Sequence, residues 1–440
     1  MKAVTAPTIL VIVGITGDLA SRKLLPALRK INAAGVLPEK FRVVGITRRD
    51  LSPAELFKGG ADPLKDRFES FKMDLAAKDA YAGLAARLMR IEKDWEMPAE
   101  RLFYLSIPPH AVRPVVEHLG AAGLNVRGKL LLEKPFGTDL ASAKELIAGI
   151  DKYFNEDKVY RIDHYLAKEM TQNLVVFRDS NSLFKQTWNN KFIERINIIA
   201  SEKIGIEGRA AFYEQTGALR DLVQSHLLQL TALVTMRLPE GGTWDIPAAR
   251  YAALSKLKIK TGAAGLFAER GQYRGYRDEV NNQKSTVETF VSITLTSADP
   301  FWRNVPIRII TGKALDKKST EIQIFYRKTD SRESNGLTLR VQPDEGVGVC
   351  LWTKRPGYDN ELEQHPLNFS YSQHYAELPE AYERVLLDAM RSDHSLFASG
   401  REVLASWKIL EPLRAHWESG SGDLLIYEPG TNPEKIAGQA

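Results

Sequence analysis

Thr8-Ile9-Leu10-Val11-Ile12-Val13-Gly14-Ile15-Thr16-Gly17-Asp18-Leu19-Ala20 begins as an unbroken run of β-branched and aliphatic residues and ends in a turn built around two glycines. Behind the turn, Leu24, Leu25, Leu28 and Ile31 recur at helical spacing. A strand buried on both faces reads as a continuous apolar run, and strand, glycine turn and helix in that order open a dinucleotide-binding βαβ unit. Gly14 and Gly17 allow a sharp turn that brings backbone amides close to a pyrophosphate at a helix N-terminus, where the dipole favours anions. Ala20 is small enough for close helix packing. A turn of this kind can also be purely structural, and it is the strand before and helix after that favour the nucleotide.

Further strands are predicted at Phe41 to Ile46, at Leu102 to Ser106 and at Lys129 to Leu132, with helical patterns between them. This alternation predicts an α/β, Rossmann-like, doubly wound domain over residues 1–165. From 166 to 440 the texture changes. Alternating segments at Ile193 to Ala200, Thr286 to Thr296, Glu321 to Arg327 and Leu337 to Val341 read as half-buried strands, and helical patterns at 217–236 and 379–415 accompany them. An α+β domain with a large, mainly antiparallel sheet is expected there. The Gly-, Pro- and Ala-rich stretch 239–265 reads as a mobile insertion.

The densest chemistry lies in Arg161-Ile162-Asp163-His164-Tyr165-Leu166-Ala167-Lys168-Glu169. If the segment opens a helix, His164 and Lys168 share a face and can grip one anion, as two donors suit a phosphate. Asp163 can orient an imidazole from elsewhere in the chain. A surface ion-pair network would look the same. At the end of the second strand, Thr47-Arg48-Arg49 stands where an NAD site usually carries an acid, and a guanidinium there suits a 2′-phosphate, with Thr16 as an extra donor. NADP is therefore favoured over NAD, the alternative being solvated arginines. Glu133-Lys134-Pro135 follows a buried strand, and a cis bond before the proline would fix Lys134. His226 lies on or beside the apolar stripe of the 217–236 helix and reads alone as a core histidine. Asp221, about one and a half turns earlier, could line the same cleft. Glu202 opens a polar loop, and Lys313 and Lys318 stand five apart in a lysine-rich turn.

The 440 residues, 44% apolar and 26% charged, suffice for two or three domains with sizeable cores. The net charge of +5 is scattered and implies no nucleic-acid partner. No apolar run approaches the roughly 20 residues of a membrane span, and no secretory pattern stands at the N-terminus, so a cytoplasmic, membrane-free protein is expected. The single cysteine, Cys350, excludes an internal disulfide and a thiolate-rich metal site.

Taken in order, the motifs resemble glucose-6-phosphate dehydrogenases: Gly14 to Ala20, Leu102 to Pro109, Glu133 to Gly137, Arg161 to Glu169, Glu207-Gly208-Arg209, Arg220 to His226, Arg270 to Tyr273, Thr311 to Leu315, Val341 to Gly346 and Glu380 to Arg384. The resemblance implies that His226 is the general base for the C1 hydroxyl of glucose 6-phosphate and that Asp163 supports it. It further implies that His164, Tyr165 and Lys168 hold the phosphate, and that Glu202, Asp221, Lys313 and Lys318 hold the sugar hydroxyls. Gly14, Thr16, Gly17, Asp18, Leu19 and Arg48 would line the NADP site, with Lys134 between sugar and cofactor, no metal, and a homodimer or homotetramer. Ser225, Ala167 and Ile310 depart from common family residues, and the last departure argues against a second, structural NADP. The rival readings are a sugar dehydrogenase of the glucose-fructose oxidoreductase type and a catalytically silent NADP-binding sensor.

Overall fold

The computed structural model describes residues 4–57, 62–238, 245–263, 265–328, 334–420 and 422–438. Six strands of the first half form one parallel sheet: β1 (Thr8–Val13), β2 (Phe41–Thr47), β3 (Phe68–Lys72), β4 (Glu100–Leu105), β5 (Gly128–Leu132) and β6 (Val159–Ile162). Their order is 3-2-1-4-5-6, the doubly wound arrangement that switches direction between β1 and β4, and a short antiparallel strand, Phe397–Ala398, closes the β6 edge. All six residues of β1 are buried. With each large aliphatic side chain contributing roughly 1.5–3 kcal/mol, this strand is the thermodynamic centre of the sheet.

The chain forms two compact units, Met1–Ala167 with Pro379–Val403, and Lys168–Leu378 with Leu404–Ala440. The helical pattern over 379–415 was expected to accompany the second sheet. Instead it is broken into helices Ala381–Met390 and Gly400–Glu418, and the first of these belongs to the first unit. Ser392, at φ +60°, ends the first helix. Val385, Leu386 and Ala389 then bury themselves in the same apolar cluster as Leu24, Leu28 and Ile31. Lys129 fastens the end of this helix, donating to the Ala389 carbonyl at 3.3 Å and to Ser392 Oγ at 2.8 Å.

Among the described residues the second unit is built on a ten-stranded sheet. Ile193–Ser201 lies at its centre, parallel to Ile307–Gly312 and antiparallel to Ser319–Tyr326. Most other pairings are antiparallel, the exception being Ala268–Tyr273 beside Leu424–Tyr427. The helical stretch at 217–236 is not one α-helix. It enters through Gly217 at φ +64°, continues as a π-helix over Leu219–Leu227 and becomes α-helical over Leu228–Thr235. Of the stretch expected to be a mobile insertion, 239–244 and residue 264 lie outside the described residues. The rest is a helix, Ile246–Leu254, capped by the Asp245 carboxylate on the Ala248 amide, followed by short strands. Among the described residues no helix is long and apolar enough to cross a membrane.

Candidate active site

At the carboxyl ends of β1, β2, β3 and β4 a cleft of about 550 Å³ opens in the first unit, lined by Gly14, Thr16, Gly17, Arg48, Asp74, Ser106 and His110 among others. Gly14 sits at φ +88°, and a Cβ there would stand 2.3 Å from the Ser106 carbonyl oxygen, so only glycine lets β1 and β4 end side by side. The Gly14 and Ile15 amides donate to the Ile46 carbonyl, and Gly17 donates back to Gly14. The first helical bond runs from Ser21 N–H to the Gly17 carbonyl at 3.1 Å. The amides of Asp18, Leu19 and Ala20 therefore precede the helical ladder and are the donors a phosphate would meet.

The side chains of Asp18 and Leu19 do not line the cleft. The Asp18 carboxylate is exposed and pairs with Arg22 at 2.6 Å, and Leu19 packs against the core. Arg48, beyond the end of β2, does line it. The cradle at Gly14, the helix start and the guanidinium together fit a nicotinamide dinucleotide. Asp74, Ser106 and His110 were missed in the sequence: the rule that ligands bind at the carboxyl edge of such sheets pointed to the end of β4, but β3, which ends just before Asp74, was not among the predicted strands.

Lys134 lies outside that cleft lining, just after β5, and its bond to Pro135 is cis. Beside it, burial pushes the Glu133 carboxyl up, while hydrogen bonds from Tyr104 and Tyr382 and the Lys134 ammonium pull the other way. Tyr382 comes from helix Ala381–Met390, which ties the Glu380 to Arg384 motif to the base of Lys134.

After β6 the chain turns over 163–167, and the Asp163 carboxylate accepts the Tyr165 amide at 3.0 Å. Asp163 and Tyr165 are buried, and the His164 and Tyr165 rings lie 5.0 Å apart. The expected helical face shared by His164 and Lys168 is absent, because the helix begins only at Glu169 and Lys168 is its extended N-cap. In the second unit the Met170 amide donates to Glu345 at 2.6 Å, so the Val341 to Gly346 motif anchors the helix start next to Lys168.

The second unit also gathers Glu202, Asp221 and Lys313. The Lys313 ammonium is buried, ion-paired with Glu202, 3.7 Å from Asp221 and 5.0 Å over the Tyr213 ring. Its turn is held from several sides: the Lys313 amide donates to Thr289 at 2.9 Å, the Ala314 amide to Ile204 at 2.9 Å, and the Tyr427 hydroxyl to the Lys313 carbonyl at 2.7 Å. Lys318 is exposed in the following loop and takes no part in these ion pairs. His226 is 1% exposed. It and Asp221 stand five residues apart, which is one and a half turns of an α-helix. Both lie within the π-helix Leu219–Leu227, whose wider turn brings positions five apart closer to one face than an α-helix would. Among the described residues no group of three His, Cys, Asp or Glu side chains could hold a metal ion.

Two family models divide the chain in order: glucose-6-phosphate dehydrogenase, NAD binding domain, over residues 11–173, and glucose-6-phosphate dehydrogenase, C-terminal domain, over residues 175–439. The glucose-6-phosphate 1-dehydrogenase of Chlamydia pneumoniae is 37% identical over 98% of this chain and 94% of its own length. That of Bacillus subtilis is 34% identical over 96% and 94%. A solved glucose-6-phosphate dehydrogenase in complex with its substrate glucose-6-phosphate superposes with a TM-score of 0.89 at 30% identity, covering 98% of this chain and 96% of the other. The likeness thus runs through both units, in sequence and in backbone, and the chain belongs to the glucose-6-phosphate dehydrogenase family.

Proposed function

We propose that the protein oxidises D-glucose 6-phosphate to 6-phospho-D-glucono-1,5-lactone with NADP, the first oxidative step of the pentose phosphate pathway. The observation that carries this reading is the sugar-side cluster, in which buried Lys313 is paired with Glu202 and Asp221, and Asp221 shares a π-helix with buried His226. Alternating carboxylates and an ammonium offer both acceptors and donors, as a polyhydroxylated ring requires. His226 takes the proton of the C1 hydroxyl as C1 gives up a hydride, so the C–H electron pair leaves and the C1–O bond becomes a carbonyl. Oxidised nicotinamide, when bound, supplies the hydride acceptor. Asp163 is assigned to support the base, and Lys134 to the sugar–cofactor boundary. His164, Tyr165 and Lys168 are assigned to the 6-phosphate, whose binding energy positions C1 remotely, and Lys318 to an outer hydroxyl contact. Family membership also supports a cytoplasmic homodimer or homotetramer.

The test is the initial rate of nicotinamide reduction with glucose 6-phosphate and NADP, run beside glucose with NADP and glucose 6-phosphate with NAD. Turnover confined to the phosphorylated sugar is expected. Equal rates with free glucose would favour a glucose-fructose oxidoreductase type of dehydrogenase, and no turnover in any mixture would favour the silent sensor.

NADP is preferred on the position of Arg48, which lines the cleft just beyond β2. Replacing it with Ala removes a charge-assisted partner of the 2′-phosphate, so the KM for NADP should rise about 10- to 100-fold. The KM for NAD, which lacks that phosphate, should change little. Equal losses for both cofactors would refute the assignment.

A further inference from the structure

Glu288 lies just before the strand Phe290–Ser297 and is 8% exposed. Its carboxylate accepts the Leu219 amide at 3.0 Å, and its main-chain carbonyl accepts the Ala218 amide at 2.9 Å. Leu219 is the first residue of the π-helix that carries Asp221 and His226. One residue before Ala218, Gly217 adopts φ +64°, and a Cβ on it would stand 2.4 Å from the Glu288 Oε1. The chain therefore enters this helix through a left-handed glycine pressed against the carboxylate.

The surroundings hold Glu288 from the other side. Burial pushes its carboxyl up, while the Leu219 amide and the charges of Arg220 and Arg270 pull it down. Arg270 belongs to the Arg270 to Tyr273 motif, which the proposed chemistry leaves without a role. Its guanidinium donates to the Gly422 carbonyl at 3.1 Å and lies 5.4 Å over the Trp417 ring. The neighbouring residue, Thr289, accepts the Lys313 amide. Two consecutive residues thus hold both halves of the Asp221–Lys313 pair, Glu288 through the helix and Thr289 through the lysine turn.

We propose that Glu288 is a positioning residue for the sugar side of the site, fixing the first helical turn and with it the placement of Asp221 and His226 relative to Lys313. The proposal rests on the reading that these residues serve glucose 6-phosphate. Either protonation state of the carboxyl presents an acceptor oxygen to Leu219, and so does a glutamine amide. The decisive comparison is therefore Glu288→Ala against Glu288→Gln in the full chain.

Leaving the buried Leu219 amide unpaired should lower kcat/KM for glucose 6-phosphate about 10- to 100-fold in Glu288→Ala, with the NADP dissociation constant within about twofold of wild type. Glu288→Gln should stay within about threefold of wild type, because its carbonyl oxygen restores the bond. Equal losses in the two variants, a wild-type Glu288→Ala, or losses that follow only the folded fraction would overturn the proposal. Hydrogen exchange of the amides at 219–221 reads the same turn without turnover and should be about 10-fold faster in Glu288→Ala than in Glu288→Gln. Identical exchange overturns the positioning role. A wild-type protein that fails to oxidise glucose 6-phosphate sinks the functional reading instead, and the exchange comparison still decides whether Glu288 holds this turn.

Discussion

Glucose 6-phosphate oxidation by a His226→Asn variant should be slower than wild type by about 100- to 10,000-fold in kcat, the range that a positioned proton acceptor contributes. The step needs a group that removes the C1 hydroxyl proton as the hydride departs, and asparagine offers hydrogen bonds but cannot accept that proton at neutral pH. Because the loss falls on the transition state, the KM for glucose 6-phosphate should stay within about threefold. His226 is not among the residues that line the nucleotide cleft, so the NADP dissociation constant should stay within about threefold. Steady-state kinetics with NADP titration by fluorescence would check all three quantities. A kcat near wild type would remove His226 as the base and leave Asp221 as the nearest alternative on the same helix.

In the first unit β1, β4 and β5 were legible because they are buried on almost every residue and so appear as apolar runs ending at glycine, proline or charge, whereas β3, buried only at Phe68, and the four-residue β6 went unread. Helix Ala381–Met390 was recognisable as a helix but not as part of that unit. An amphipathic stripe says that a face is buried and is silent about which sheet buries it. The π-helix was hidden for a related reason. Over Leu219–Leu227 the apolar spacing fits an α-helix nearly as well, and nothing in that spacing marks the π-helical bonds or the entrance through Gly217 beside Glu288. Glu288 itself reads as a polar residue near an alternating strand. Its importance appears only when a carboxylate sixty-nine positions away in sequence meets the Leu219 amide. Lys313 and Lys318 show a further limit of sequence reading. Both sit in one lysine-rich stretch, and only Lys313 is drawn inward, because its turn is tied down by Thr289, Ile204 and Tyr427 while Lys318 follows in open loop.

That difference makes Lys313→Met the second large expected effect. The Lys313 side chain is 2% exposed and its partners Glu202 and Asp221 are 30% and 16% exposed, so removing the ammonium takes from both carboxylates a counter-charge they share in a small space. Breaking a buried pair costs about 3–5 kcal/mol, and the partial exposure of Glu202 brings the expected cost to roughly 2–3 kcal/mol. In a unit of this size that lowers Tm by about 4–12 °C. Because the same ammonium is assigned to the sugar, kcat/KM for glucose 6-phosphate should fall by about 100-fold or more. The two consequences separate in the double variant Lys313→Met with Glu202→Gln. Removing the stranded charge should recover at least about half of the lost Tm, since replacing both partners of a buried pair is far cheaper than removing one. Activity should not return, because neither the ammonium nor the carboxylate is restored for substrate. If the single variant keeps both its Tm and its kcat/KM, Lys313 is neither the electrostatic keystone of the cluster nor a sugar ligand. If the double variant regains turnover together with Tm, the lysine acts on stability alone and its assignment to the substrate falls.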